Sequence, residues 1–131
     1  MTSIQKEFIK FGLVGIAGFV VDAGFLYILK SPLGPYLARL FSFFCAVCAT
    51  WILNRTFTFN IAARPKSILK EFISYVMSML VGGGVNLAVY SLVVVMLGKS
   101  AGYLLIALAL GSIAGMVFNF AISKLLIFKA R

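Results

Sequence analysis

The sequence predicts an all-α membrane protein of four transmembrane helices, and three observations predict it. Of the 131 residues, 63% are hydrophobic and only 11% are charged, with a mean hydropathy of +1.10. A soluble domain carries roughly 25% charged residues. The apolar residues gather into four long runs, and about 20 such residues cross a bilayer. The breaks between runs hold Pro, Gly, Lys and Arg, the residues of turns and of the headgroup layer. The chain therefore reads as a single transmembrane domain over 1–131, with no room for a separate soluble domain.

The first helix is expected from about Glu7 to Leu29, stopped by Lys30-Ser31-Pro32-Leu33-Gly34-Pro35. Its apolar region exceeds the usual 7–15 residues of a signal peptide and no small-x-small site closes it, so it is expected to stay in the protein. The second helix runs from about Tyr36 to Arg55. Fifteen uncharged residues separate Arg39 from Arg55, so the two can snorkel to opposite headgroup layers. Thr56-Phe57-Thr58-Phe59 alternates polar and aromatic residues, which predicts an extended or interfacial segment. Asn60 to Lys70 is the central loop. The third helix begins near Leu69 and runs to about Leu97, through Gly82-Gly83-Gly84 and Asn86. Gly98-Lys99-Ser100 is a turn, and the fourth helix spans about Ala101 to Ile122.

Orientation follows from the loop charges. Lys6, Lys10, Arg55, Arg64, Lys66, Lys70, Lys124, Lys129 and Arg131 fall on one side; Lys30, Arg39 and Lys99 fall on the other. Nine against three places both termini and the central loop in the cytoplasm. The net charge of +9 is thereby assigned to topology and lipid headgroups. No basic patch remains for nucleic acid.

The two halves resemble each other. An offset of 64 pairs Phe8-Ile9-Lys10-Phe11 with Phe72-Ile73-Ser74-Tyr75, Gly18 with Gly82, Val21 with Val85, and Asp22 with Asn86. An offset of 69 pairs Arg55 with Lys124 and Phe59 with Phe128. Each half is a helical hairpin, repeat one over about 7–59 and repeat two over about 70–128. Both enter from the cytoplasm, so the repeats are expected to be parallel, related by an axis along the membrane normal.

Asp22 stands out because no charged residue lies within seven positions on either side. A carboxylate near the middle of a spanning helix costs roughly 2.5–3.5 kcal/mol on insertion scales. Asp22 and Asn86 can hydrogen-bond sugar hydroxyls, and Asp22 can take up and release a proton; an interhelical hydrogen bond is the structural alternative. Arg39 either meets Asp22 across the bundle or anchors the interface. Arg55 and Lys124 can grip a phosphate by charge-assisted bonds, with Asn54 beside them and Asn119 about one turn deeper. Gly12, Gly15 and Gly18, and the Gly111-x-x-x-Gly115 pair, let backbones approach closely. The Gly82–Gly84 run is a packing device and a candidate hinge. Cys45-x-x-Cys48 lies inside an apolar run with no second pair and no histidine, so it reads as small packing residues. No nucleophile–base pair, metal cluster, cofactor motif or carboxylate pair is present in the sequence. Hence no enzyme, no metal and no cofactor are expected.

These residues resemble the GtrA-like family of small four-helix membrane proteins. The carriers are Phe8-Ile9-Lys10-Phe11-Gly12-Leu13-Val14-Gly15 leading to Asp22, Leu37-Ala38-Arg39-Leu40, and Leu53-Asn54-Arg55-Thr56-Phe57-Thr58-Phe59. The second hairpin adds Asn119-Phe120 and Ser123-Lys124-Leu125-Leu126-Ile127-Phe128. The family often carries Asn-Arg-Arg where this chain has Asn54-Arg55-Thr56, so basic charge is thinner at the helix ends here. The resemblance implies a multi-pass protein of the bacterial inner (cytoplasmic) membrane. It implies a flippase that moves a polyprenyl-phosphate-linked monosaccharide from the inner to the outer leaflet for cell-surface polysaccharide synthesis.

On that expectation Asp22, Arg39, Asn54, Arg55, Asn86, Asn119 and Lys124 form the substrate site, and no residue is catalytic. Four short helices enclose little volume, so a homo-oligomer is expected, in contact with membrane lipids and with a membrane glycosyltransferase as a candidate partner. Two alternatives stand beside this expectation: a small proton-coupled exporter of the four-helix multidrug type, and a non-transporting partner of a glycosyltransferase.

Overall fold

A computed structural model describes residues 1–59 and 67–128. Helix α1 spans Ser3–Leu33 and α2 spans Pro35–Leu53, running on into a π-helical turn, π1, over Asn54–Thr58. Helix α3 spans Ile68–Leu97 and α4 spans Ala101–Ile122, which continues into a second π-helical turn, π2, over Ser123–Ile127. All four helices are long and apolar enough to cross a membrane. Among the described residues there is no strand. In hydrocarbon the backbone must satisfy its own hydrogen bonds, and a helix does so within one segment. Large apolar side chains such as Phe19 and Val95 are exposed, at 71% and 83%. Their solvent is lipid rather than water.

The described residues form two compact units, 1–59 and 67–128, and each is one hairpin. In the first, α1 starts earlier than Glu7. Thr2 and Gln5 form a capping box: the Gln5 N–H donates to Thr2 Oγ1 at 3.2 Å and the Thr2 N–H donates to Gln5 Oε1 at 2.9 Å. Helix α1 also ends later than Leu29, with Pro32 inside its last turn. A proline there removes only one backbone bond, and the Gly34 N–H closes the turn on Lys30 O at 3.0 Å. The reversal is made by Gly34 alone, at φ 82° and ψ 165°, a conformation open essentially only to glycine. Pro35 then opens α2 at a position where no N–H is needed.

Of the extended or interfacial segment expected at Thr56–Phe59, the extended form is corrected. The helix widens instead of ending. Thr56 Oγ1 donates to Ile52 O at 2.8 Å, Thr58 Oγ1 donates to Asn54 Oδ1 at 2.8 Å, and the Phe59 N–H reaches back five residues to Asn54 O at 2.9 Å. Extended backbone begins only at Phe59. Most of the expected central loop, residues 60–66, lies outside the described residues; Ser67 caps α3 by accepting from the Lys70 N–H at 3.3 Å.

The second hairpin turns at Gly98, at φ 106°. Helix α3 runs unbroken through Gly82–Gly84, so the glycine run is helical in this structure. Its contacts match those of the first hairpin at the offsets 64 and 69. Phe11 packs on Phe59 and Tyr75 on Phe128, each with ring centroids 6.1 Å apart. Gly18 lies against Thr50, and Gly82 against Asn119. Small or short side chains recur every fourth residue along the inner face of α2, at Ala38, Ser42, Ala46, Thr50 and Asn54. Helix α4 does the same with Ala107, Gly111, Gly115, Asn119 and Ser123. In lipid such seams replace the hydrophobic effect as the source of helix association.

Candidate functional site

Near the turn of the first hairpin, Arg39 meets Asp22. One guanidinium nitrogen, Nη1, donates to Asp22 Oδ1 at 2.9 Å and to Oδ2 at 2.8 Å. The Asp22 side chain is mostly covered, at 17% exposure, whereas that of Arg39 is 58% exposed. Helix register explains the geometry. Gly18 faces Thr50, so Asp22, one turn on, comes level with Ala46 and Ser42. Arg39 starts about one turn nearer Gly34 and reaches inward to the carboxylate rather than outward to the headgroups. The pair neutralises a charge that hydrocarbon disfavours, and Arg39 keeps donors beyond those on Nη1 for another partner. The second hairpin has Asn86 and Leu108 at the equivalent positions, so the charge pair belongs to the first hairpin.

At the open end of the same hairpin, π1 carries Asn54 and Arg55. Asn54 is 2% exposed and accepts the Thr58 hydroxyl, so it acts as an internal latch of the widened turn. Arg55 is partly exposed in that turn. Lys10 of α1 lies over the Phe57 ring, 5.2 Å from its centroid, a cation–π contact that draws a second basic residue to this end.

In the second hairpin Asn86 sits in the α3–α4 seam. A side chain at Gly111 would meet Asn86 Oδ1 at 2.6 Å, and one at Gly115 would meet Gly82 O at 2.8 Å and Asn86 Cβ at 3.0 Å. The Gly111-x-x-x-Gly115 spacing is therefore the groove that receives Gly82 and Asn86. The Asn119 amide lies on Gly82, in space only a glycine leaves open. Lys124 is partly exposed in π2. Widened turns of this kind are rare and recur at functional sites. Here one falls at the open end of each hairpin, and each carries one of the two basic candidates.

The structure thus joins Asp22 to Arg39, places Arg55 and Lys124 in equivalent π-turns, and puts Asn54, Asn86 and Asn119 in helix seams. Two features escape a reading of the sequence. Glu71 is buried, at 7% exposure, in the first turn of α3, where a helix favours negative charge. The offset of 64 that pairs Asp22 with Asn86 also pairs Glu7 with Glu71, and that is the signal for it. Ser123, fully buried at the start of π2, corresponds to Asn54 at the offset of 69. Cys45 and Cys48 are free thiols on α2.

Among curated proteins no match is found. The family comparison is decisive: the model described as GtrA/DPMS, transmembrane domain, matches residues 10–128. That span begins at Lys10, two residues into the motif leading to Asp22, and closes on Phe128, the ring that packs on Tyr75. With four spanning helices and both hairpins inside the match, the chain belongs to the GtrA/DPMS transmembrane-domain family.

Proposed function

We propose that the protein moves a polyprenyl-phosphate-linked monosaccharide from the cytoplasmic to the outer leaflet of a bacterial inner membrane, for use in cell-surface polysaccharide synthesis. Family membership supports a membrane protein tied to glycosyl-lipid handling. The observation that carries the finer reading is the division of polar groups. Basic residues sit in π-turns at the open ends, while a neutralised charge pair sits within the first hairpin's span. A phosphate needs charge-assisted donors, which Arg55 and Lys124 bring from the side the loop charges make cytoplasmic. A sugar crossing hydrocarbon needs hydrogen bonds in place of water, which Asp22, Arg39 and Asn86 offer. The prenyl tail stays in lipid throughout. On this reading the hairpins are parallel, the protein is a homo-oligomer without a cofactor and without enzymatic chemistry, and a glycosyltransferase supplies its substrate.

A proton-coupled exporter uses an acid in the first helix that is open to protons and cargo. Exporters of the dual-topology type show little loop-charge bias, whereas this chain carries nine basic residues on one side against three on the other, which favours the flippase. The test is surface display of the transferred sugar in cells carrying Asp22→Ala, with membrane protein level measured alongside. Display lost at an unchanged protein level is expected. Display at the wild-type level would overturn the proposal.

A further inference from the structure

In the second hairpin two buried side-chain oxygens have no hydrogen-bond partner, Asn119 Oδ1 and Ser123 Oγ. They lie four residues apart, one turn along the same helix face. The matching face of the first hairpin is closed. Thr50 Oγ1 donates to Val47 O at 3.1 Å, and Thr58 Oγ1 donates to Asn54 Oδ1 at 2.8 Å. At the offset of 69, Thr50 becomes Asn119, Asn54 becomes Ser123, and the donor Thr58 becomes Ile127. One hairpin latches its polar seam, and the other leaves an amide oxygen and a hydroxyl without a hydrogen-bond partner.

A buried polar atom without a partner destabilises the empty protein, and native structures keep few such atoms without a reason. The place where it occurs supplies the reason. Ser123 opens the π2 turn, and the next residue is Lys124. A guest with hydroxyl groups, each both donor and acceptor, matches the Asn119 oxygen and the Ser123 hydroxyl together, and the Asn119 amide N–H groups can return hydrogen bonds to the same hydroxyls. A phosphate, which brings only acceptors, can take the Ser123 hydroxyl proton but leaves Asn119 Oδ1 unmatched.

We infer that Asn119 and Ser123 form a hydroxyl-binding site in the α3–α4 seam, which takes the sugar of the lipid headgroup when the seam parts at π2. The assignment rests on the flippase reading and deepens it: Lys124 takes the phosphate, and the sugar lies about one turn deeper against Ser123 and Asn119. The hydrogen bonds that the empty seam lacks are then made on binding. Removing the Ser123 hydroxyl should therefore act in opposite senses on the empty and the loaded protein, which loss of a packing residue does not do.

The test is thermal unfolding of the purified full-length protein in nanodiscs under three conditions: no added lipid, polyprenyl phosphate, and a panel of polyprenyl-phosphate hexoses. The wild type is expected to shift upward with polyprenyl phosphate and further with a hexose-bearing lipid. Ser123→Ala is expected to raise the melting temperature of the empty protein and to lose the hexose-dependent part. Its preference for hexose-bearing lipid over polyprenyl phosphate should fall about tenfold, the worth of one to two hydrogen bonds. Ser123→Thr, which restores a hydroxyl, is expected to keep the hexose-dependent shift. If Ser123→Ala lowers the melting temperature of the empty protein and keeps that shift, the hydroxyl serves packing or an internal water, and the assignment is overturned. A wild type that responds to polyprenyl phosphate but to no hexose overturns this assignment alone. A wild type that responds to neither lipid overturns the flippase reading and this site with it.

Discussion

The Asp22–Arg39 pair makes an asymmetric prediction. Arg39→Leu installs the residue found at the equivalent position in the second hairpin, Leu108, and leaves Asp22 without its cation. The Asp22 side chain is only 17% exposed and loses both of its bonds at 2.8–2.9 Å. A lone carboxylate in a span costs roughly 2.5–3.5 kcal/mol on insertion scales, and partial exposure trims this to about 2–3 kcal/mol. Asp22→Asn installs the equivalent of Asn86 and strands Arg39 instead. That side chain is 58% exposed and starts about one turn from Gly34, so it swings outward to the headgroups at a cost of about 1 kcal/mol or less. The double variant reproduces the second hairpin and should lie within about 1 kcal/mol of wild type, giving a coupling energy of about 2 kcal/mol. The assay is a double-mutant cycle of unfolding in nanodiscs, read beside surface glycosylation in cells. Stability should recover in the double variant while glycosylation does not, because the pair is gone. Equal losses from the two single variants, or a coupling near zero, would refute the reasoning.

Three further outcomes follow from the same geometry. Gly82→Ala should cost about 1–3 kcal/mol in unfolding experiments, because the new Cβ occupies the place of the Asn119 amide, and Asn119→Ala should relieve most of that loss. Gly34→Ala should cost about 1–3 kcal/mol, because φ 82° with ψ 165° is closed to alanine; the second hairpin's own turn at Gly98 gives a matched comparison. Combined replacement of Arg55 and Lys124 by alanine should raise the lipid concentration for half-maximal transport by tenfold or more, since each charged hydrogen bond is worth about 1.5–3 kcal/mol; a reduced maximal rate at unchanged half-saturation would place these residues elsewhere in the cycle.

Much of the fold is legible in the sequence because lipid reduces the choice of structure. Four apolar runs and the turn glycines at 34 and 98 define the helices, and α4 matches its expected bounds of Ala101 to Ile122. Depth along the helix leaves Arg39 two options, Asp22 or the headgroup layer, and the bonds at 2.8–2.9 Å decide for Asp22. The π-turns are not legible. Thr56-Phe57-Thr58-Phe59 alternates like a strand, and only the hydroxyl bonds of Thr56 to Ile52 and of Thr58 to Asn54 make a widened helix the better solution. The Thr2/Gln5 capping box is visible as a four-residue pattern, yet it stands in a polar lead that composition alone assigns to the headgroup layer. Ser123 carries no signal by itself, since a serine in a spanning helix usually packs or bonds its own backbone. It becomes informative only once its oxygen is seen without a partner, beside a first hairpin whose equivalent is latched.

The central claim, translocation of a lipid-linked sugar, is tested most directly in proteoliposomes holding only this protein and a fluorescent polyprenyl-phosphate hexose. The label begins in both leaflets, and a membrane-impermeant reductant quenches whatever reaches the outside. The account predicts that quenching proceeds well past the outer-leaflet half with the wild type, stops near half with Asp22→Ala, and is slowed at low lipid by the combined Arg55 and Lys124 replacement. Quenching that stops near half with the well-folded wild type would contradict it.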